Sequence, residues 1–216
     1  MLQIAERYDK RDFWIRENAQ YAEANFRMRK CAKLINRDAE EKTLSLLDIG
    51  CGPAAMRKVV SSNVLYHGVD IAIHEPAPYL LERDFVQSEI EFQGKTFDRI
   101  VALGVFEYMG SHQARKLEEI RQLLNPGGKF ILSYVNFGHY RRKIYAMYNN
   151  VQSIREMQKS LEALFDIERC FPVCHHWRHR QPGKNAIPGI QMRIMFGIPW
   201  ISPWLATEYF FICSTK

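Results

Sequence analysis

Short apolar runs alternate along the chain with longer segments whose apolar residues recur at the spacing of one helix face. The spaced pattern predicts helices at Asp12–Asn36 (one or two helices), Ala54–Val60, His112–Leu124 and Val151–Phe165. The apolar runs predict strands at Leu44–Ile49, Val64–Val69, Tyr79–Phe85 (a short edge strand), Phe97–Leu103, Lys129–Val135, Asp166–Val173 and Glu208–Ser214. Strands that alternate with helices indicate an α/β fold, with a mostly parallel, doubly wound sheet and helices on both faces.

The order of these elements also predicts where a ligand binds. Sheets of this kind bind ligands beyond the carboxyl ends of their strands, near the point where the strand order switches. The loops of interest therefore follow Ile49, Val69, Leu103 and Val135.

The composition narrows the class of protein more than its function. With 216 residues, 47% of them hydrophobic, the chain can bury the core of one domain. The net charge of +6 permits an anionic partner but is lower than that of a dedicated nucleic-acid binder. Five widely spaced cysteines argue against a disulfide framework and for a reducing compartment. Because the sequence shows neither a secretory signal nor a run of about 20 apolar residues, we expect a cytoplasmic protein without a membrane span.

The most informative stretch is LLDIGCGP, Leu46–Pro53, which spans the end of the first predicted strand and the loop after it. Gly50 and Gly52 let the backbone turn sharply and let a ligand approach, and the helix predicted next would present free N–H groups. A dinucleotide fingerprint needs a third glycine where this chain has Ala55. Asp48 places a carboxylate beside the loop, which suits a ligand that carries positive charge better than a pyrophosphate.

Further acids follow the next two strands. Asp70 ends the second predicted strand, 20 residues after Gly50, a spacing that suits an acid accepting hydrogen bonds from ribose hydroxyls. Asp84 and Phe85 end the third strand-like segment, in a position to meet an adenine amino group and ring. A surface aspartate beside a core phenylalanine explains this last pair nearly as well.

Five segments stand in order along the chain: LLDIGCGP, HGVDI with Asp70, RDF with Asp84, FDRIVALGVFEYM and LLNPGGKFILSYV. Together they resemble the class I S-adenosylmethionine-dependent methyltransferases of the small-molecule type, and EYFFICS resembles the last, antiparallel strand of that family. The resemblance covers about Leu44–Val135. It implies a seven-stranded, mostly parallel sheet with the last strand antiparallel, an N-terminal helical cap and an insertion between the last two strands. Pro53-Ala54-Ala55 departs from the more glycine-rich end of the motif in many members.

The resemblance implies S-adenosylmethionine as the cofactor. This molecule carries an ammonium, a carboxylate and a sulfonium but no phosphate, so the third glycine of a pyrophosphate site has no role. The implied contacts are, for the methionine part, Asp48, Gly50, Cys51 and Gly52; for the ribose and adenine, Asp70 and Ile71; for the adenine edge, Asp84 and Phe85; and for the methionine amino group and sulfonium, Leu103 and Gly104.

Candidate catalytic residues follow the fourth and fifth strands. A hydroxyl acceptor usually needs a base, and His139, Glu107 and Tyr134 carry suitable groups. His139 has an unperturbed pKa near 6.5 but could be a solvated loop histidine, and Glu107 could be a helix-end charge. The acceptor pocket is predicted from aromatic and polar residues of the N-terminal cap, of the strand ends and of the start of the insertion: Tyr8, Trp14, Tyr21, Tyr108, Asn136, Tyr140 and His176.

The chain is predicted to form one methyltransferase domain. It divides into a helical cap (1–43), a cofactor-binding half (44–135) and an acceptor-side half (136–216) with an insertion at 175–203. The insertion is basic and histidine-rich, then strongly apolar, which fits a lid over the acceptor, a dimer or partner surface, or peripheral contact with a membrane surface. Cys170 and Cys174, just before the insertion, and its histidines His175, His176 and His179 match no standard zinc spacing, so no metal is predicted.

The leading hypothesis is an enzyme that methylates an oxygen or nitrogen of a small molecule, such as a sugar, a glycoconjugate or a secondary metabolite. Methylation of RNA or protein is the alternative, motivated by the basic runs Arg27–Lys30, Arg141–Lys143 and Arg178–Arg180. Nucleic acid is disfavoured because the sequence after the fourth strand, LGVF, differs from the Asn-Pro-Pro-Tyr type of base-methylating relatives. A non-catalytic partner subunit is the third hypothesis, and the intact acids and glycines argue against it. We expect a monomer or a homodimer.

Overall fold

The computed structural model of the chain describes residues 11–18, 21–89, 92, 94–136, 152–176, 193–194 and 206–216. Its helices are α1 (Arg11–Asn18), α2 (Phe26–Asp38), α3 (Gln113–Leu123) and α4 (Ile154–Leu164). Its strands are β1 (Leu44–Ile49), β2 (Val64–Asp70), β3 (Leu80–Glu82), β4 (Phe97–Leu103), β5 (Leu124–Val135), β6 (Phe165–His176), β7 (Arg193–Ile194) and β8 (Ala206–Thr215).

These strands form one sheet in the order β3-β2-β1-β4-β5-β8-β6-β7. Strands β1 to β5 run parallel to their neighbours, whereas β8 runs antiparallel to both β5 and β6. The predicted fold class, a mostly parallel doubly wound sheet with the last strand antiparallel, is therefore confirmed. Within the described ranges the sheet has one strand more than the seven expected: the two-residue β7, which pairs with the end of β6 inside the predicted insertion.

Both faces of the sheet are covered, because its central strands carry apolar side chains on either side. On one face Leu47 and Ile49 of β1 join a core with Leu117 of α3 and Leu161 of α4. On the other face Leu44 and Leu46 of β1 pack in a core with Ile35 of α2. Since β1 and β4 are neighbours at the switch in strand order, their carboxyl ends meet at the middle of the edge where a ligand was expected.

The predicted helix Ala54–Val60 is wrong in type, because this segment forms only a single 3₁₀ turn, Ala55–Lys58. Ala54, just before the turn, adopts a left-handed backbone conformation with φ of 54°, which interrupts helical geometry between the glycine loop and the turn. The free N–H groups that were expected after the glycine loop would therefore come from a short 3₁₀ turn and not from a longer helix.

The other boundaries differ from expectation for local reasons. The segment Asp12–Asn36 forms two helices, and α2 begins where the Asn25 side chain accepts a hydrogen bond from the Met28 N–H group. Helix α4 begins at a capping box formed by Ser153 and Glu156. The Asn-Pro-Gly-Gly segment ends α3 as predicted, but the chain enters β5 at once and forms an irregularity in its pairing with β4. No helix among the described ranges is long and apolar enough to cross a membrane.

Candidate functional site

The glycine loop after β1 is tied closely to the end of β2. The N–H groups of Gly50 and Cys51 both donate to the carbonyl oxygen of Val69, over 2.8 and 3.2 Å. Gly50 has φ of 71°, and a Cβ atom there would collide with the Val105 side chain in the loop after β4. A glycine is therefore required at this position both by the backbone conformation and by the close approach of the neighbouring loop.

Asp70 fixes the same loop from the end of β2. One carboxylate oxygen accepts the Gly52 N–H group over 2.8 Å, and the other accepts the Ala72 N–H group over 2.9 Å. Asp70 is buried. The carboxylate predicted to hold the ribose is thus positioned against the glycine loop, as the spacing of Asp70 from Gly50 suggested.

Asp48, at the end of β1, is a buried carboxyl group with 3% exposure. The Tyr66 hydroxyl donates to its Oδ2 atom over 2.8 Å. Burial raises the pKa of Asp48 to about 7, and the nearby Asp70 adds to this, although the Tyr66 hydrogen bond acts against both. Asp48 therefore lies in a site where a positively charged ligand group would stabilise its ionised form. Cys51, beside it, is buried and packs over Gly68, and burial raises the pKa of its thiol.

The segment after β3 is held by helix α3. Asp84 accepts the Val86 N–H group with its side chain, forming a turn, and Phe85 packs into the core. Lys116 of α3 is fully buried, donates to the Ser88 carbonyl over 2.7 Å and has its ammonium nitrogen 4.5 Å from the centre of the Phe85 ring. Asp84 and Phe85 thus lie in a turn after β3 that α3 positions. Ile71 is half-buried.

A second group of charged residues lies at the ends of β4, β5 and β8. Arg27 of α2 forms an ion pair with Glu208 at the start of β8, with 3.0 Å between Nη1 and Oε1. Gly104, with φ of 76°, lies directly beneath the Arg27 guanidinium, and a Cβ there would come within 2.5 Å of Nη1. Burial alone would lower the pKa of Arg27, but Glu208 and Glu107 together raise it above its ordinary value. Leu103, before Gly104, is half-buried.

Glu107 belongs to the same group and is 3% exposed. Burial raises its pKa to about 7; Glu208 adds to the rise, while nearby backbone N–H groups and Arg27 oppose it. Within the part of the chain that the structure describes, its Oε2 atom has no hydrogen-bond partner. A buried carboxylate oxygen in this state needs a donor, which a bound ligand can supply.

Tyr134 and Asn136 have structural hydrogen bonds at the end of β5. The Tyr134 hydroxyl donates to the Gln152 carbonyl over 2.9 Å and accepts the Gln152 N–H group over 3.1 Å. Burial raises the pKa of Tyr134 to about 12. Asn136 donates through its side-chain amide to the Ala206 carbonyl over 2.9 Å. These contacts fix the starts of α4 and β8 relative to β5.

The N-terminal cap crosses this edge of the sheet. Helix α1 is tied to β3 by an ion pair between Arg11 and Glu82, over 2.7 Å. Its Trp14 ring packs edge-on against Tyr108, after β4, with 5.0 Å between ring centres. Tyr21 lies close enough to Arg27 to raise its pKa. The structure therefore brings Trp14, Tyr108 and Tyr21 to the same edge as the charged groups.

Other predicted site residues lie outside the described residues. These are Tyr8, His139 and Tyr140. His176 pairs through its backbone with Arg193, and its side chain is not among those described. No cluster of three potential metal ligands occurs among the residues that the structure describes.

Sequence reasoning missed three charged residues at this edge: Arg27, Glu208 and Lys116. Arg27 stands in a basic run that suggested an exposed patch, and 181 positions separate it from Glu208. Lys116 lies in the predicted helix His112–Leu124, for which no contact with the segment after β3 was predicted. A spacing rule finds partners only a few residues apart, so the sequence carried no signal for these contacts.

Comparisons with known proteins agree with this geometry. A family model described as a methyltransferase domain matches residues 21–176, more than half of the chain. No curated protein matches the chain significantly.

Solved structures share the fold at low sequence identity. The N-methyltransferase NodS from Bradyrhizobium japonicum, in complex with S-adenosyl-L-homocysteine, is 12% identical, with a TM-score of 0.59 over 94% of this chain and 98% of that chain. A chain of the Haloferax volcanii complex that contains the Trm112 methyltransferase activator is 15% identical, with a TM-score of 0.65 over 96% of both chains. Magnesium protoporphyrin IX methyltransferase from Synechocystis, with bound SAM, is 13% identical, with a TM-score of 0.59 over 95% of both chains. At these identities the likeness establishes the fold.

Proposed function

The chain belongs to the methyltransferase domain family, and from this premise we propose that it transfers a methyl group from S-adenosylmethionine to an oxygen or nitrogen atom of a small molecule. The observation that carries the proposal is the joining of the glycine loop to Asp70 by the Gly52 N–H group, beside the buried carboxyl group of Asp48. This arrangement forms at the switch in strand order, where sheets of this type bind ligands.

The residues of this loop fit the cofactor. Burial and the nearby Asp70 raise the pKa of Asp48, and no cation among the described residues is a main influence on it. A ligand with an ammonium and a sulfonium would supply the positive charge that favours ionised Asp48. When bound, S-adenosylmethionine supplies an activated methyl group. Among the structural neighbours, the NodS structure holds S-adenosyl-L-homocysteine and magnesium protoporphyrin IX methyltransferase holds SAM, which supports the same cofactor here.

Each half of the edge has a proposed role. Asp70 would accept hydrogen bonds from the ribose hydroxyls, and the segment Asp84–Phe85, which Lys116 positions, would border the adenine. Glu107 is our preferred base on the acceptor side. Its carboxyl group has a pKa raised to about 7, whereas the Tyr134 hydroxyl already bonds to the backbone of Gln152. His139 stays a prediction.

Calorimetric titration with S-adenosylmethionine tests the cofactor. We expect saturable binding to the wild-type chain, and a loss of affinity of at least tenfold in Asp70→Asn, because the neutral amide is a weaker acceptor for two hydroxyls. Asp166→Asn, an exposed position at the start of β6, is the matched control and should bind like the wild type. Absence of binding to the wild type would contradict the proposal, and unchanged affinity in Asp70→Asn would remove Asp70 from the ribose role.

Methylation of RNA is the second candidate, and the described part of the first basic run weighs against it. Arg27 turns inward to Glu208, Arg29 donates to the Ala24 carbonyl, and Lys30 lies over the Phe171 ring. These side chains are occupied by the fold itself. RNA binding that weakens steeply with salt would nevertheless favour this candidate.

A further inference from the structure

Three charged residues form a compact group on the acceptor half of the edge, which we call the acceptor-side cluster: Arg27, Glu107 and Glu208. They come from α2, from the turn after β4 and from the start of β8. The ion pair between Arg27 and Glu208 is direct, and Glu107 interacts electrostatically with both partners. The Arg27 guanidinium lies against Gly104, three residues before Glu107 in the chain.

The charges of the cluster do not balance. When both glutamates are ionised, two negative groups face the single positive charge of Arg27. Arg27 is already bonded to Glu208, while the Oε2 atom of Glu107 has no partner within the described chain. A buried, uncompensated carboxylate is costly, so the cluster favours a ligand group that brings both a hydrogen-bond donor and a positive charge. A hydroxyl supplies the donor only, and an anion supplies neither.

The strand order distinguishes this cluster from the proposed cofactor site. Asp48 and Asp70 end β1 and β2, on one side of the switch point, whereas Glu107 follows β4 and Glu208 lies beyond β5 in the sheet. The cofactor-side acids and the acceptor-side cluster therefore lie on opposite sides of the β1–β4 boundary. The Trp14 ring packs edge-on against Tyr108, with 5.0 Å between ring centres, so an aromatic pair adjoins the turn that carries Glu107.

We propose that the acceptor-side cluster binds the methyl acceptor as an ammonium group, so that the substrate is an amine and Glu107 is the residue that takes its proton. This inference rests on the proposed methyltransferase function and narrows it from oxygen or nitrogen to nitrogen. Arg27 and Glu208 act as positioning residues, because their ion pair fixes the net charge and the place of the Glu107 carboxyl group.

The chemical step balances with these groups. The Glu107 carboxylate takes one proton from the ammonium, and the nitrogen lone pair forms the new bond to the methyl carbon. The bond from that carbon to sulfur breaks, and its electron pair stays on sulfur. The products are the methylated ammonium, a neutral thioether and a protonated Glu107, which then returns its proton to water. Burial raises the pKa of Glu107 to about 7. This value lies closer to the pKa of an alkyl amine, roughly 10, than the pKa of an ordinary glutamate does.

The test uses the smallest matched probes, methylammonium chloride and methanol, on the full chain saturated with S-adenosylhomocysteine. The protein is labelled with ¹³C at the glutamate carboxyl carbons, and the Glu107 signal is identified by its loss in Glu107→Gln or, independently, in Glu107→Asp. We expect methylammonium to lower the pH midpoint of the Glu107 titration by at least about one unit. Methanol, and potassium chloride at equal ionic strength, should leave the midpoint unchanged.

The variants separate the cluster from general charge effects. Glu208→Gln removes one negative charge from the cluster. About ten times more methylammonium should therefore be needed to produce the same shift of the Glu107 titration midpoint. Glu162→Gln, an exposed position on α4, should respond like the wild type. No response to methylammonium, or an equal response to methanol, would overturn the inference. Calorimetric binding of S-adenosylhomocysteine is measured on the same samples, so a failure of the methyltransferase proposal shows as lost cofactor binding and is read separately.

Discussion

The two halves of the ligand edge both carry a pair of acids, but the fold treats the pairs differently. On the cofactor half, Asp48 and Asp70 are held by hydrogen bonds from Tyr66 and from backbone N–H groups. On the acceptor half, Glu208 has an arginine as its partner and Glu107 keeps an oxygen without one in the described chain. One pair is thus fixed by neutral donors, and the other by a buried charge.

This difference has a structural origin. The cofactor half is built from consecutive strands, so the donors to Asp48 and Asp70 lie no more than 18 residues from each acid in the chain. The acceptor half joins α2, the turn after β4 and β8, and only a long side chain such as that of Arg27 reaches across it. We therefore expect the cofactor half to tolerate loss of a donor, and the acceptor half to depend on one ion pair.

Removal of Arg27 should give the largest effect on stability. Arg27→Met keeps the length of the side chain but leaves Glu107 and Glu208 without their positive neighbour. In the wild type this ion pair is largely shielded from solvent, with side-chain exposures of 24% for Arg27 and 11% for Glu208. We expect the free energy of unfolding in urea to fall by about 3 kcal/mol. The matching change on the cofactor half, Tyr66→Phe, removes one hydrogen bond to Asp48 and should cost about 1 kcal/mol.

A double variant makes this comparison sharper. Arg27→Met combined with Glu208→Gln removes both charges of the ion pair, so most of the lost stability should return. Arg121→Met, which breaks an exposed ion pair with Glu118, is the control and should change stability by less than about 1 kcal/mol. Equal losses in Arg27→Met and Tyr66→Phe would show that the two halves do not differ in this way.

The dependence of stability on pH is the next largest effect and involves both halves. Asp48 and Glu107 each have a pKa raised to about 7 in the fold, against ordinary values of 3.8 and 4.5. Between those values the folded chain holds protons that the unfolded chain has lost, so the contribution of these two groups to stability is greatest below their ordinary pKa values and falls as pH rises towards 7. Each group should remove roughly 1 kcal/mol per pH unit in this window.

Urea denaturation at pH 5 and pH 7 measures this effect. Between pH 5 and pH 7, the free energy of unfolding of Asp48→Asn and of Glu107→Gln should each fall by about 2 kcal/mol less than that of the wild type, because a neutral amide does not titrate. Glu156→Gln is the control: Glu156 has a lowered pKa, so its contribution changes below this window. A wild-type slope retained in Asp48→Asn would show that the Asp48 carboxyl group is already ionised, with its charge compensated by the fold.

The two halves also differ in how far the sequence predicts them. The glycine loop, Asp48 and Asp70 follow from an apolar run, a turn and a spacing of 20 residues, all of which are local, and the structure joins them through Gly52. The mostly parallel sheet with helices on both faces follows from the same alternation of strands and helices. Local patterns suffice here because consecutive parallel strands bring their carboxyl ends to one edge.

The acceptor half could not be predicted in the same way. Glu107 was recognised as a candidate from its place after β4, but its burial and its charged neighbours, Arg27 of α2 and Glu208 of β8, come from distant parts of the chain. The 3₁₀ turn after the glycine loop was missed because Ala54 adopts a left-handed conformation that its residue type does not favour. Tertiary contacts decide both features, and they leave no periodic signal in the chain.

Lys116 gives the smallest of these effects and tests the cofactor half from outside its motifs. Lys116→Met, made in a Glu119→Gln background so that no carboxylate loses its cation, removes the hydrogen bond to Ser88 and the contact with the Phe85 ring. We expect a stability loss of about 1 to 2 kcal/mol, and affinity for S-adenosylmethionine should fall several-fold, because the segment Asp84–Phe85 is no longer held by α3. Lys159→Met on α4 is the matched control for calorimetry. If the affinity stays unchanged while the stability falls by the same amount, Lys116 supports only the core, and the segment Asp84–Phe85 does not border the adenine.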